Sequence, residues 1–437
     1  MFRKNRRIIQ KQIVGMVFLL TAGVLSACAG EQGKTEAEQI KGGTAGEEEE
    51  GKEGKEAENP VEDDAQAAVL PEKADDNGEK ESDSGGAADK KEASVTEEEL
   101  KKQFGNDCIT DQIFEFELTA NGERVSFVPC KSQSSGDFYM KIVGEGGVLS
   151  KRSGYVPDAL QGKTFASLDA VAFFDVNFDG VTDIVLVETY GNTTFAAVYF
   201  GDLFLAEMCD LYYTAQRDLS ERLTESLDVV TIPKIRELLS GGKKNGEFSG
   251  YQEAYEAVVR LRELENPGPT EYSAGTQYDL IDFDGDDIPE LVAGNNGYHM
   301  SLYTYSQGSV YALMNDWAYG AMGNAGYEYS PGKNSLRNYN ADYAGLINYL
   351  TYMTIGQQHS LEQVVQIVIY NFEDVNENGV PDEEEEESYG NYGTLKIDGE
   401  EVTEEECDVY DMGEYKYIEG KMSADELLAE LNKQERE

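Results

Sequence analysis

The sequence predicts an α+β protein with antiparallel β-rich parts, intervening and C-terminal helices, and a disordered acidic linker in front of them. Short segments of alternating apolar and polar residues predict the strands, and apolar residues spaced three and four apart predict the helices. The linker is predicted from a long N-terminal stretch without any aromatic residue. The chain has 437 residues, enough for two to three domains.

The first 27 residues are typical of a secretory signal peptide. A basic start without acids precedes an apolar stretch, residues 13–25, that is shorter than the roughly 20 residues of a membrane span. The stretch ends at Leu25-Ser26-Ala27-Cys28, which resembles the lipobox of bacterial lipoproteins. The resemblance implies cleavage before Cys28, lipidation of its thiol, and a cell-membrane anchor on the extracytoplasmic face. An uncleaved membrane helix is the alternative, and it also places the remainder outside the cytoplasm.

Residues 28–95 are predicted to be a lipidated, disordered acidic tether. They consist mainly of Glu, Lys, Gly, Ala and Asp, including the run of four glutamates at 47–50. Such a composition buries too little apolar surface to offset the entropy cost of ordering the chain. A plain spacer is favoured over an acidic interaction tail.

Three ordered regions are expected after the tether: a β-rich domain over 96–213, a helical segment over 214–270 and an α+β domain over 271–437. A capping box beginning at Thr96 predicts the first helix, and Asn121-Gly122 between alternating segments predicts a hairpin. Helices are expected over 220–239, interrupted by Pro233, and over 251–264. Residues 360–370 are expected to be a helix that runs into a strand. Capping boxes at Thr403 and Ser423 predict C-terminal helices.

A nine-residue acidic pattern, D-x-[DN]-x-[DN]-x-x-x-[DE], occurs three times. We name the three segments loop 1 (175–183), loop 2 (282–290) and loop 3 (374–382). Calcium takes six to eight oxygen ligands, and side chains on alternating residues of a tight turn converge on one point. Position seven is expected to offer its backbone carbonyl, and position nine to close the shell. The predicted calcium ligands are therefore Asp175, Asn177, Asp179, Val181 and Asp183; Asp282, Asp284, Asp286, Ile288 and Glu290; and Asp374, Asn376, Asn378, Val380 and Asp382.

Position six of each loop is expected to turn sharply. Glycine occupies it in loops 1 and 3, and Asp287 occupies it in loop 2. An EF-hand also needs a glutamate at position twelve and flanking helices, whereas loops 1 and 2 run directly into apolar, strand-like segments. In loop 3 position twelve is Glu385, within an acidic run at 383–387 that either supplies ligands or is simply solvated.

Loops 1 and 2 resemble the calcium loops of FG-GAP and VCBS repeats, the integrin-type hairpins of many surface proteins. The wide separation of the loops argues against the propeller that those repeats build. Loop 2 with its flanks, YDLIDFDGDDIPELVAG, also resembles a segment of secreted lipoproteins of Gram-positive gut bacteria. Without a metal, each loop would be a hydrated acidic turn held by hydrogen bonds between side chains and backbone.

Four cysteines remain after Cys28, in a compartment that permits disulfides. Cys108 with Cys130 is the expected pair because these residues flank the predicted hairpin. Four free buried thiols are the alternative. No cysteine spacing suggests zinc.

Composition narrows the functional classes. A formal net charge of −49 argues against nucleic acid as a partner. The two histidines, His299 and His359, belong to no catalytic motif. The many tyrosines between 298 and 352 are expected to be strand residues rather than a ligand-binding patch.

The sequence favours a lipid-anchored calcium-binding surface protein that binds a protein or carbohydrate ligand without chemistry of its own. A carboxylate-dependent hydrolase of polysaccharide or cell envelope is the first alternative, and a cleft with two carboxylates outside the loops would favour it. A solute-binding lipoprotein is the second alternative.

Overall fold

The computed structural model describes residues 97–434, apart from residues 121, 204, 207–211, 270–273 and 322. The predicted signal peptide, the anchor at Cys28 and the tether lie outside the described residues. Among the residues within that range, no helix is long and apolar enough to cross a membrane.

Two four-stranded antiparallel sheets form the first half of the described chain. Sheet I contains, in spatial order, β1 (Phe114–Glu117), β2 (Arg124–Lys131), β3 (Phe138–Gly144) and β4 (Gly147–Ser153). Sheet II contains β5 (Phe165–Phe174), β6 (Asp183–Tyr190), β7 (Thr193–Gly201) and β8 (Tyr213–Ala215). Both sheets are meanders, because every strand pairs with its neighbour in sequence.

Two further antiparallel sheets form the second half. Sheet III is also a meander, of β9 (Gln277–Ile281), β10 (Glu290–Asn295), β11 (His299–Ser306) and β12 (Ser309–Ala318). Sheet IV has the order β18-β17-β16-β15-β14-β13-β19. Its strands are β13 (Gly326–Ser330), β14 (Ser335–Asp342), β15 (Ile347–Ile355), β16 (Leu361–Tyr370), β17 (Thr394–Ile397), β18 (Glu400–Val402) and β19 (Lys416–Tyr417).

The helices of the described chain lie before, between and after these sheets. They are α1 (Glu97–Phe104), α2 (Arg217–Ser226), α3 (Ile232–Ser240), α4 (Tyr251–Glu265), α5 (Glu404–Asp408) and α6 (Ala424–Gln434). The α+β prediction is therefore confirmed in its coarse form: antiparallel β-sheets dominate, with intervening and C-terminal helices.

The sheets and helices stack as successive layers. Sheet I packs on one face of sheet II through a core that includes Phe127, Ile142 and Phe195. The other face of sheet II packs on α2 and α3, one face of sheet III packs on α4 and α6, and α4 packs on the other three helices in the same core. The second face of sheet III packs on sheet IV. Sheets II and III are thus apolar on both faces, and the helical layer joins the two halves.

Most local predictions are confirmed. Strands β1 and β2 pair across the predicted hairpin, with Phe114 opposite Phe127. The helical segment breaks into α2 and α3 so that Pro233 falls in the first turn of α3, where its missing N–H costs nothing. The capping box at Thr403 is present in full, and Ser423 accepts from the backbone N–H of Glu426 in the same way.

The helix expected at the start of residues 360–370 is wrong, and the strand expected after it is confirmed. Residues Leu361–Tyr370 form one continuous strand, β16, paired with β15 along its whole length. This segment contains Val364, Val365, Ile367, Val368 and Ile369, and β-branched side chains favour the extended backbone of a sheet over the crowded surface of a helix.

The predicted disulfide is not formed in this structure, although its two cysteines are neighbours. Cys108 and Cys130 pair across an isolated antiparallel bridge, and both are buried free thiols. Their Sγ atoms point to different carbonyl oxygens, that of Leu100 at 3.9 Å and that of Val128 at 3.6 Å. Burial raises the pKa of both thiols, which favours the unreactive protonated form. For these two cysteines, the structure agrees with the alternative prediction of free buried thiols.

Glu188 in β6 is a fully buried carboxyl group in the middle of sheet II. The Tyr190 hydroxyl donates to its Oε2 at 2.9 Å, whereas its Oε1 has no hydrogen-bond partner among the described residues. Burial raises the pKa of Glu188 to about 8. The folded protein therefore holds this group neutral under conditions in which an exposed glutamate is ionised.

We predict that Glu188 makes the folded protein less stable as the pH rises. Its contribution is complete below the unfolded-state pKa near 4.5 and is lost as the pH approaches about 8. Between pH 5 and pH 8 the loss is roughly 3 kcal/mol. Glu188→Gln stays neutral and therefore lacks this pH-dependent component. Between pH 5 and pH 8, the unfolding free energy of the variant is expected to fall by roughly 3 kcal/mol less than that of the wild type.

Urea unfolding of both proteins at the two pH values, at one fixed calcium concentration, measures this difference. Contributions of all other titrating groups cancel in the comparison. The amide group introduced by Glu188→Gln is not fully paired, and this adds a cost that does not depend on pH. Equal pH dependence of the two proteins would show that Glu188 is ionised in the folded state.

Candidate metal centre

Each acidic loop connects two adjacent antiparallel strands. Loop 1 joins β5 to β6, loop 2 joins β9 to β10, and loop 3 leaves β16 toward β17. In the first two loops the second strand begins at position nine, with Asp183 and Glu290. Loops 1 and 2 lie between two strands, whereas an EF-hand loop lies between two α-helices; loop 3 follows strand β16 and precedes a single 3₁₀ turn, Glu386–Ser388.

The three loops share one backbone conformation. Positions four and six have positive φ in each: Phe178 and Gly180 at 64° and 82°, Gly285 and Asp287 at 80° and 70°, and Glu377 and Gly379 at 58° and 76°. The expectation of a sharp turn at position six is confirmed, including the aspartate of loop 2. Aspartate enters this region more readily than most residues because its short polar side chain forms local hydrogen bonds.

The loops also share hydrogen bonds that direct their side chains inward. The N–H of position seven donates to the side-chain oxygen of position five in every loop, from Val181 and Ile288 at 2.8 Å and from Val380 at 2.9 Å. The N–H of position five donates to the side chain of position three in every loop, at 3.0 to 3.3 Å. These bonds bring the alternating side chains to one side of the turn.

A buried carboxylate closes each loop, but in loop 3 it is not the predicted one. The N–H of position two donates to Asp183 in loop 1 at 2.7 Å and to Glu290 in loop 2 at 3.0 Å. In loop 3 the N–H of Val375 donates instead to Glu385, at 2.8 Å. Glu385 is only 2% exposed, whereas the predicted Asp382 is partly exposed and interacts with the amides of Asn376 and Asn378. The glutamate at position twelve was the available sequence signal.

Loop 2 brings three carboxylates together. Oxygen atoms of Asp284, Asp286 and Glu290 lie within 4.8 Å of one another, the one such triad among the described residues. Two oxygens on opposite sides of a calcium ion, each at about 2.4 Å, are about 4.8 Å apart. The triad therefore has the right spacing to surround one cation. Asp282 begins the loop and accepts from the N–H of Gly285 at 3.0 Å.

The electrostatics of loop 2 are unfavourable for three bare carboxylates. Burial, followed by the charge of Asp284, raises the pKa of Glu290 to about 8. Burial and the charge of Asp286 also raise the pKa of Asp284. Within the described part of the chain, no lysine or arginine forms an ion pair with this triad. A proton or a bound cation would relieve the repulsion.

Loop 1 is more deeply buried, and its side chains mainly bind its own backbone. Asp183 accepts from the N–H groups of Val176 and Gly201, at 2.7 and 2.8 Å, so each of its oxygens has a backbone partner. Asp175 accepts from the N–H groups of Asp179 and Gly180. Burial, with the charge of Asp179 second, raises the pKa of Asp175 to about 7. Metal binding by loop 1 stays a prediction.

The position-seven residues lie where the pattern places them, but their accessibility differs. Val181 and Ile288 are partly buried, and Val380 is exposed. In loop 3 the Oδ1 of Asp374 is buried without a hydrogen-bond partner among the described residues, and its Oδ2 accepts from the N–H of Gly379 at 3.1 Å. Metal binding by loop 3 also stays a prediction, with Glu385 rather than Asp382 as the closing group.

No family model matches this chain, and a search of curated proteins finds no match.

Proposed function

We propose that this chain is a calcium-binding protein of the extracytoplasmic membrane face, anchored through lipid on Cys28. The observation that carries the calcium proposal is the carboxylate triad of Asp284, Asp286 and Glu290 at the spacing of a cation's ligands. The anchor is supported by the lipobox-like Leu25-Ser26-Ala27-Cys28 after an apolar stretch.

Calcium fits the triad better than other divalent cations. The side-chain donors are carboxylate oxygens, which are hard ligands that zinc and copper do not favour. Magnesium keeps several waters and a rigid octahedron, whereas calcium accepts the irregular, oxygen-rich shell that a turn provides. Loops 1 and 3 have the same backbone conformation as loop 2 and are proposed as further calcium sites.

The proposed biological role is to bind a protein or carbohydrate ligand outside the cell. Several tyrosines are buried in strands and serve the core, as expected, including Tyr303, Tyr327 and Tyr352. Others, such as Tyr298 and Tyr343, are more than half exposed. Exposed tyrosines supply flat apolar surface and a hydroxyl group, the combination that stacks on sugar rings and forms protein contacts.

We predict that calcium raises the melting temperature of the chelated full chain through loop 2. An ion that binds only the folded form stabilises it by about 2.7 kcal/mol at a hundred times its dissociation constant. Asp284→Asn weakens this response because it removes one charge from the triad. Differential scanning calorimetry over a calcium titration measures the effect, with magnesium as the comparison ion.

Asp287→Asn is the matched control. It makes the same chemical change in the same loop at a position outside the triad, and asparagine accepts positive φ as well as aspartate does. Its calcium response is expected to equal that of the wild type. A wild-type chain without any calcium response would refute the proposal, and identical responses of the two variants would remove loop 2 as the site.

We further predict that Glu385 closes a calcium site in loop 3. Glu385→Gln lowers the number of calcium ions bound by one, or weakens one site at least tenfold, because it removes a buried charge that faces the loop. Isothermal titration calorimetry gives the stoichiometry. Glu384→Gln, at the exposed neighbouring position, is the control and is expected to leave the stoichiometry unchanged. The same isotherm for both variants would leave Glu385 with a purely structural role.

A further inference from the structure

A cavity of about 500 Å³ lies where the two halves of the protein meet, away from the acidic loops. Its walls come from the start of α2, the end of α4, and strands β10, β11 and β12. This volume is in the range of small-molecule binding sites. The residues that matter for its chemistry are Arg262, Glu265, His299 and Asp316.

Asp316 is presented to this cavity by a β-bulge. Met300 pairs with Trp317 and Leu302 pairs with Met314, so Asn315 and Asp316 together lie opposite Ser301. The backbone of Asp316 has φ of 52°. This conformation costs a residue other than glycine about 1 kcal/mol. Its side chain remains 56% exposed. Bulges and strained residues of this type occur where a side chain is re-aimed toward a ligand.

The buried Arg262 holds this arrangement but has no donor left for a ligand. Its Nε and Nη2 donate to Tyr303, Ser301 and Asn315. Its Nη1 donates to Glu265 at 2.8 Å and to Asp316 at 3.3 Å. All directions of the guanidinium group are therefore satisfied inside the protein.

Carboxylates outnumber guanidinium groups among the residues that line the cavity. The lining contains three carboxylates, of Asp218, Glu265 and Asp316, and two guanidinium groups, of Arg217 and Arg262. Asp218 forms an ion pair with Arg222, so Glu265 and Asp316 are the carboxylates considered as acceptors for a ligand. Arg217 lies 5.7 Å over the ring of Tyr155 and so has a partner of its own. The acidity of the whole protein adds a field that concentrates cations and repels anions.

Asp316 is the group best suited to meet that cation. His299 Nδ1 lies 3.4 Å from its Oδ1. Although partial desolvation acts to raise it, the charge of Arg262 and the neighbouring His299 side chain hold the pKa of Asp316 well below its usual range. Asp316 thus stays ionised at every physiological pH.

We propose that this cavity binds a small organic molecule that carries a primary ammonium group, with Asp316 and Glu265 as the acceptors. An ammonium group has three donors and no acceptor, which complements a wall of carboxylates with no spare donor on the buried arginine. The site is separate from the calcium loops, so the inference does not depend on the proposed calcium function. The same two carboxylates would serve a hydrolase, but Arg262 engages both of them, which favours binding over proton transfer.

Histidine NMR of the full chain tests this inference directly. The chain has two histidines: His299 lines the cavity, and His359 stacks on Tyr311 elsewhere, with ring centroids 4.6 Å apart. With calcium held at saturation, the signals of ¹³C-labelled histidine are followed during titration with matched probes. One pair is glucosamine and glucose, and the other is 1,5-diaminopentane and 1,5-pentanediol.

The expected result is that each ammonium probe shifts the His299 signal in a saturable way at millimolar concentrations or below, while its hydroxyl counterpart does not and His359 stays unchanged. Asp316→Asn is expected to weaken binding at least tenfold. Glu256→Gln, the same charge change on the α4 residue that pairs with Arg260, is expected to have no effect.

Equal shifts from the charged and neutral probes, or no shift from either ammonium probe, would overturn the inference. Retained affinity in both Asp316→Asn and Glu265→Gln would do the same. If Asp316→Asn fails to fold, the wild-type comparison of matched probes still decides. A His299 shift caused by calcium that persists in Asp284→Asn, in which the response of loop 2 is weakened, would assign the cavity to a metal instead.

Discussion

The structure around the acidic loops depends on one constraint: a carboxylate is buried where each loop closes, and it must have partners. Burying a charged group costs several kcal/mol unless hydrogen bonds or a counter-charge compensate. Asp183 and Glu290 meet this requirement with the backbone N–H of position two and with a second donor from the next strand, Gly201 or Thr304. The loop is thereby tied to its own sheet, and the remaining side chains must point to the centre of the turn.

The same constraint explains how much of the site is predictable from sequence. The alternating acids and the glycine at position six predict the turn, because these features depend on residues within one short segment. The choice of closing carboxylate depends on where the next strand begins. In loops 1 and 2 it begins at position nine, whereas after loop 3 the next strand of sheet IV begins only at Thr394. The chain therefore continues as a turn, and Glu385 reaches back in place of Asp382.

Local sequence patterns likewise predict some parts of the fold and not others. The hairpin at 114–131, the helices α2 to α4 and the capping box at Thr403 follow from neighbouring residues, and these predictions are confirmed. The layered packing of the four sheets is not visible in any local pattern. The hydrogen bonds of Arg262 are even harder to predict from sequence. They join α4 to strands β11 and β12, and the position of Asp316 among them depends on the bulge in β12.

Strand β10 connects the two proposed sites. It begins with Glu290 at the calcium loop and ends at Asn295, where Ala293, Gly294 and Asn295 line the cavity. At about 3.3 Å per residue, the three residues from Glu290 to Ala293 separate the two sites by roughly 10 Å along the strand, and Asp316 lies two strands further across the sheet. That distance is too long for the carboxylates of loop 2 and Asp316 to share one ion, so one cation cannot occupy both proposed sites. It is also short enough that ordering the loop would steady the strand forming one wall of the cavity, because β10 is held by β9 and β11 along its length.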